Sequence, residues 1–455
     1  MMNQTSLTMK CADFINSLDY RRLPPEVIEM TKDCFIDFLG CVISGSVTSE
    51  AKIILDFTAG NPGLYQATVL GAWRKDSLLN AVLANAYNCH IHEMDDVHKA
   101  SVQHPGAPAI GSALAAAEAY GKSGKELIEA IVAGYDIALR VGEAVMPSHY
   151  GFWHTTGTCG TFGAAASAGK LMGLTPDELT NALGNAGSQA AGLWQFIEDN
   201  AMTKYLHCGK ASYNGVLAAL LARGGLTGAK RILEGEKGFV KATSTETNPA
   251  EKFKSMGSKY KILETSFKPF ASCRHTHPTI SAVLNLRRKY NLSTAEVLKV
   301  KINTYKTATE IARNNKYYQD SRAAKFSLVY CAAAALYFGA LPLRAFTQES
   351  LQNEKILRVA NNTVINIDEE INRIFPRKWM TRVELYTKDR CFTETVEHPL
   401  GDPENPMTEE NIYNKFMDLT MHVMGKEKAD SLYQKCRELE KAGDIAKFFS
   451  EVVQQ

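Results

Sequence analysis

The sequence predicts a mainly helical protein. An all-helical region runs to residue 264, a smaller α+β region covers 265–398, and a helical tail covers 399–455. Three observations carry this. Apolar residues recur at helical spacing through roughly the first 260 residues. The apolar period switches to two in the stretches that follow residues 296 and 380. A Gly-Asp-Pro-Glu-Asn-Pro run at 401–406 then punctuates the chain before a last helical stretch. A length of 455 residues makes two domains the expectation.

Each element has a local reason. "LPPEVIEMTKDCFIDFLGCVISG" opens on prolines and carries an apolar stripe at Val27, Ile28, Cys34, Phe35, Phe38 and Leu39. "SGKELIEAIVAGYDIALRVGEAV" is apolar on most faces, as a central helix would be. "TPDELTNALGNAGSQAAGL" offers Thr175 as N-cap, Pro176 in the first turn and Glu178 at the capping-box position. Many of these helices are rich in Ala and Gly, which predicts close helix packing. Farther on, "EVLKVKINTYKTA" places Leu298, Val300, Ile302 and Thr304 on one face of a strand. "TRVELYTKDRCFTETVE" alternates on either side of Lys388 and Asp389, a hairpin. An apolar helix, Phe326 to Phe338, lies between them.

Composition narrows the function. Apolar residues make up 45%, charged residues 22%, and the formal net charge is +2. This is ordinary globular composition, without the basic stripe of a nucleic-acid binder. No apolar run reaches membrane-spanning length, and the first residues lack a secretory pattern. Ten cysteines include no C-x-x-C pair. They read as buried small hydrophobes in a reducing, cytoplasmic setting.

Nine of the eleven histidines fall between residues 90 and 277, in four groups. Histidine titrates near neutrality and is the usual acid–base side chain. The first group, "HIHEMDDVHKASVQHPGAPA", sets Asp95, Asp96 and His104 as catalytic or substrate-positioning residues, His104 standing where a helix begins. An alternative takes His90, His92 and Asp95 as the ligands of a metal-dependent hydratase or hydrolase, although their spacing matches no defined metal site. In the second group, His154 and Thr155 open a Gly/Thr-rich helix start able to hold a carboxylate or phosphate. In the third, Lys204 and His207 lie three apart, on one side of a helical turn. The fourth, "SFKPFASCRHTHP", brings Lys268, Cys273, Arg274, His275 and His277 to the apparent domain junction. Arginine there suits a carboxylate, and a Cys–His nucleophile pair is conceivable.

In this order, "HEMDDVHKASVQHPGAPAIGSALAAAE", "GFWHTTGTCGTFGAAASAGKLMGL", "TKYLHCGKASYNGVLAALLA", "FKPFASCRHTHP", "AKFSLVYCAAAAL" and "HPLGDPENPMT" resemble the MmgE/PrpD superfamily. That family includes 2-methylcitrate dehydratase, cis-aconitate decarboxylase and iminodisuccinate epimerase. The resemblance implies a large all-helical domain made from the N-terminal part and the returning C-terminal tail, plus a smaller α+β lid domain. It implies a lyase or isomerase acting on a small di- or tricarboxylate, with neither metal nor organic cofactor, as a homodimer. Carried over residue by residue, it makes Asp96, His104, His154, Lys204 and Lys268 catalytic. Asp95, Thr155, His207, Cys273, Arg274, His275 and His277 would contact substrate. Val97-His98 after the paired aspartates, and Cys273 in the last motif, depart from the decarboxylase pattern.

Overall fold

The computed structural model describes residues 6–312 and 320–449. These divide into two compact units, each with its own core. One takes the chain up to Thr265 and resumes at Thr408; the other is Ser266–Met407. The fold is mainly α-helical.

The first unit is built from helices α1 (Leu7–Ser17), α2 (Pro25–Gly45), α3 (Leu78–His90), α4 (Gly106–Ala119), α5 (Gly124–Val145), α6 (Thr155–Leu171), α7 (Pro176–Gln189) and α8 (Thr203–Arg223). The start signals act as the sequence suggests. Thr175 and Glu178 form a reciprocal capping box on α7, and Ser123 and Glu126 form another on α5. Helix α5 is buried along nearly its whole length. Helix α6 packs against α4, α5 and α8. Small residues permit this closeness: a Cβ on Gly163 would lie 2.7 Å from the Gly134 carbonyl oxygen. A short antiparallel hairpin, β1 (Ala67–Val69) with β2 (Arg74–Asp76), interrupts the helical series. Strands of three residues are too short for their alternation to register in sequence.

The second unit carries a four-stranded sheet. In chain order its strands are β3 (Lys299–Thr304), β4 (Thr363–Ile367), β5 (Thr381–Tyr386) and β6 (Cys391–Val396), and their spatial order is β4-β3-β5-β6. β3 pairs parallel with β4 and antiparallel with β5, and β5–β6 is the hairpin expected around Lys388 and Asp389. Leu298, expected on the apolar face of β3, precedes the strand and is exposed. Helix α9 (His277–Tyr290) covers β5 and β6 and packs on α10 (Leu328–Phe338), which packs on α11 (Glu354–Asn361).

The tail helices α12 (Glu409–Met424) and α13 (Lys426–Arg437) belong to the first unit, where α12 lies along α2. The chain changes unit at Met407/Thr408, where the sequence marked a change near 398/399. Residues 399–407 stay with the sheet-bearing unit because Phe267 N donates to Gly401 O at 2.9 Å and Arg274 pairs with Asp402. Among the described residues, no single helix is long and apolar enough to cross a membrane. Cys391 is exposed, and the other nine cysteines are buried.

Candidate active site

The helical unit gathers its polar residues where α3 ends and where α4, α6 and α8 begin. His90 is the last residue of α3, and the loop 91–105 runs from there to α4. That loop holds Glu93 (φ 57°) and Val102 (φ 45°) in the left-handed region. Such a φ is an outlier for a β-branched residue and persists only where surroundings hold it. Thr155 Oγ1 donates to Val102 O at 2.5 Å, and His104 N donates to Thr156 Oγ1 at 3.0 Å. The first residues of α6 thus pin the far end of the loop.

Four histidine rings meet here. His90 and His104 have centroids 4.7 Å apart, and His154, the N-cap of α6, lies 6.2 and 6.5 Å from them. His154 and His207 approach at 3.1 Å between their Nδ1 atoms. One of these nitrogens must carry the proton and the other accept it. His154 Nε2 is buried without a hydrogen-bond partner among the described residues, as is Trp194 Nε1, whose ring lies 4.8 Å from that of His154. Buried polar atoms are normally satisfied, so these two atoms are donor or acceptor positions that a water or a polar ligand can fill. Burial drives the His154 pKa well below the ordinary value, with the His207, Lys204, His90 and His104 charges adding to it. His207 is lowered to about 4 by burial and then by His90 and Lys204. Both rings are therefore neutral near pH 7.

The aspartates orient their neighbours. His104 Nδ1 lies 2.8 Å from Asp96 O. A carbonyl only accepts, so this nitrogen bears the proton and Nε2 is the basic atom. Asp95 Oδ2 lies 2.7 Å from His90 Nδ1. The Asp96 carboxyl accepts from Tyr135 Oη at 2.7 Å and from Gly106 N at 3.0 Å. Gly106 is required there, because a Cβ would sit 2.8 Å from Asp96 Oδ1. Burial, then the charge of Asp37, raises the Asp96 pKa to about 8 against those two hydrogen bonds.

Lys204 Nζ donates to both carboxylate oxygens of Glu93 at 2.7 Å, with both side chains buried. Sequence reasoning gave Glu93 no role. The strained backbone at position 93 aims this carboxylate, and no sequence pattern announces that. Tyr135, also missed, reaches Asp96 from α5 across 39 residues of sequence.

Ligand-type atoms of His90, Asp95 and His104 lie within 4.8 Å of one another. His92, a member of the metal set read from sequence, is not in this group among the described residues. His90 Nδ1 and Asp95 are already hydrogen-bonded, and the His104 nitrogen nearest Asp95 donates to Asp96 O. A cation held through His90 Nδ1 and His104 Nδ1 would have to break both bonds.

The fourth sequence group lies in the sheet-bearing unit. Lys268, Cys273, Arg274, His275 and His277 are all buried. Arg274, expected to bind a carboxylate, has Asp402 as its counter-ion and contacts His277 Nδ1 at 3.0 Å. His275 Nδ1 lies 2.8 Å from Tyr305 Oη, and its ring stacks on Trp379 at 4.4 Å. His277 Nε2 lies 3.2 Å from Ser272 O. Cys273 N donates to Lys325 O at 3.0 Å. These contacts give Arg274, His275 and His277 a part in fixing the 266–277 loop.

Residues 9–252 match the MmgE/PrpD N-terminal domain and residues 270–439 the MmgE/PrpD C-terminal domain. A cis-aconitate decarboxylase of Aspergillus terreus (strain NIH 2624 / FGSC A1156) is 26% identical, over 97% of this chain and 95% of its own length. The Homo sapiens cis-aconitate decarboxylase is 25% identical, over 97% and 93%. A cis-aconitate decarboxylase-like protein of Aspergillus oryzae is 24% identical, over 98% and 97%. Two domain matches that together span most of the chain, on a mainly helical fold, make it a member of the MmgE/PrpD family of enzymes.

Proposed function

We propose that this protein is a cofactor-independent lyase or isomerase that moves a proton at carbon next to a carboxylate of a small di- or tricarboxylic acid. The observation that carries the reading is the buried group of histidines, His104, His154 and His207, the last two held neutral by their surroundings, beside the Lys204–Glu93 pair. Proton transfer at such a carbon builds charge on the adjacent carboxylate, which a cation and N–H donors must stabilise. Lys204 supplies the cation. His104 Nε2 is the base, and His154, whose ring lies 6.5 Å from that of His104, is the acid partner. Asp96, through its carbonyl, holds His104 in the tautomer that leaves Nε2 basic.

The same pair serves three outcomes. In dehydration, a proton leaves carbon while another accompanies the departing hydroxide. In decarboxylation, the electron pair freed by CO2 takes a proton. In epimerisation, a proton leaves one face and returns to the other. The names of the relatives support the second outcome, on an unsaturated tricarboxylate such as cis-aconitate.

Incubation with cis-aconitate, citrate, 2-methylcitrate and tartrate-like acids, followed by proton NMR, tests the reading. Metal analysis of the active protein decides against the alternative. Turnover that persists without stoichiometric zinc, iron or manganese supports the proposal, and turnover that requires such a metal overturns it.

A further inference from the structure

Lys415 lies on the tail helix α12, 321 residues from Met94 in sequence, and the acid–base account above makes no use of it. Its side chain is buried, with 6% of its surface exposed. The ammonium ion-pairs with Asp37 of α2 and donates to the main-chain carbonyl of Met94 at 2.6 Å. Gly40, one turn along α2, lets the tail helix come this close: a Cβ there would sit 3.3 Å from Leu419 and Phe416 side chains.

Met94 directly precedes the paired aspartates. Four consecutive residues are therefore each held by a different part of the unit. Glu93 is held by Lys204, Met94 O by Lys415, the Asp95 carboxylate by His90, and Asp96 by Tyr135, Gly106 N and His104. Asp37 and Cys41 on α2 and Asp95 on the loop act on the Lys415 charge. Asp37 and Asp95 act on Asp96, which in turn faces Tyr135 and Cys34. Burial would favour neutral Lys415, but Asp37, Cys41 and Asp95 outweigh it and raise its pKa above the ordinary lysine value.

We propose that Lys415 is a positioning residue for the acid–base site: it fixes the Met94 carbonyl, and with it the aim of Glu93, Asp95 and Asp96, while balancing the charge of Asp37. The tail would then complete the site from behind, without touching substrate. The catalytic part of this inference rests on the proton-transfer reading above.

Full-length Lys415→Met, Lys415→Arg and the double variant Asp37→Asn/Lys415→Met test it. The double variant removes both charges together, so it avoids leaving an unpaired buried carboxylate if Lys415→Met fails to fold. The first readout is the His104 ring titration by NMR, assigned by the signal lost in His104→Gln. It needs no substrate. The second is the pH profile of exchange at carbon. In the folded double variant, the His104 titration should move by about half a unit or more, and turnover should fall at least about tenfold. Lys415→Arg, which keeps a charged donor, should recover part of both. A folded double variant with wild-type His104 titration and wild-type turnover overturns the proposal. If the wild-type protein exchanges no acid tried, the proton-transfer reading fails, while the His104 titration still decides the role of Lys415.

Discussion

His104 Nδ1 donates to the main-chain carbonyl of Asp96 at 2.8 Å, so the backbone of one aspartate sets the tautomer of the histidine eight residues on. The bond uses the carbonyl and not the carboxylate, so substituting the Asp96 side chain leaves the acceptor in place. His104→Gln removes the basic atom itself. It should lower turnover by at least about 100-fold, with circular dichroism and thermal midpoint close to wild type.

Asp96 gives stability a slope with pH. Its pKa is raised from 3.8 to about 8, chiefly by burial. The native state therefore holds a proton that the unfolded chain releases above about pH 4. Stability from this group is present below pH 4 and declines as pH rises toward 8. Asp96→Asn should flatten that decline, as measured by urea unfolding at several pH values. An unchanged slope would place the titration elsewhere.

The histidine pair acts in the opposite sense. The His207 pKa is lowered from 6.5 to about 4. Its contribution is complete above pH 6.5 and is lost as pH falls toward 4. His207→Gln should make the protein less acid-sensitive across that window. It should also let the His154 ring titrate at higher pH, because the His207 charge is the largest contributor after burial. NMR of the imidazole signals reads both effects.

Glu93 and Lys204 form a buried, two-toothed pair. Breaking such a pair from one side typically costs about 3–5 kcal/mol, because a buried charge is left uncompensated. Glu93→Gln and Lys204→Met should each destabilise strongly, and the double variant by much less than their sum. A double-mutant cycle by chemical unfolding measures the difference.

Lys268 tests the resemblance to the family motif in the second unit. It is fully buried. Lys268→Met should abolish most turnover if the lysine that opens this motif is catalytic. A folded variant with wild-type turnover would remove it from the catalytic set.

Much of this could be read in the chain because helix signals are local. The Thr175–Glu178 capping box and the long apolar face of α5 are written within a few residues of each other. The hairpin around Lys388 and Asp389 follows from alternation over two six-residue strands. Strand β4 is not legible in the sequence, because it is an edge strand of five residues whose apolar Val364 and Ile367 are exposed, so no buried face alternates along it. At the site, His104, His154, Lys204 and His207 could be chosen by residue type and spacing, and the fold brings them into one cluster. Glu93, Tyr135 and Lys415 could not. Each acts through an aim or a contact that only the folded chain creates: a left-handed backbone, a helix 39 residues away, a returning tail. Arg274 is likewise paired with Asp402, as Lys204 is with Glu93, and residue type alone announces neither pairing.

The central claim is proton transfer at carbon by His104 and its neighbours. The most direct measurement is proton NMR in D2O with cis-aconitate, citrate and 2-methylcitrate, for the wild-type protein and for His104→Gln. The account predicts that deuterium enters a carbon next to a carboxylate in at least one acid or its product, and that His104→Gln slows this at least about 100-fold. Absence of deuterium at carbon in every acid, or incorporation at the wild-type rate without His104, would contradict it.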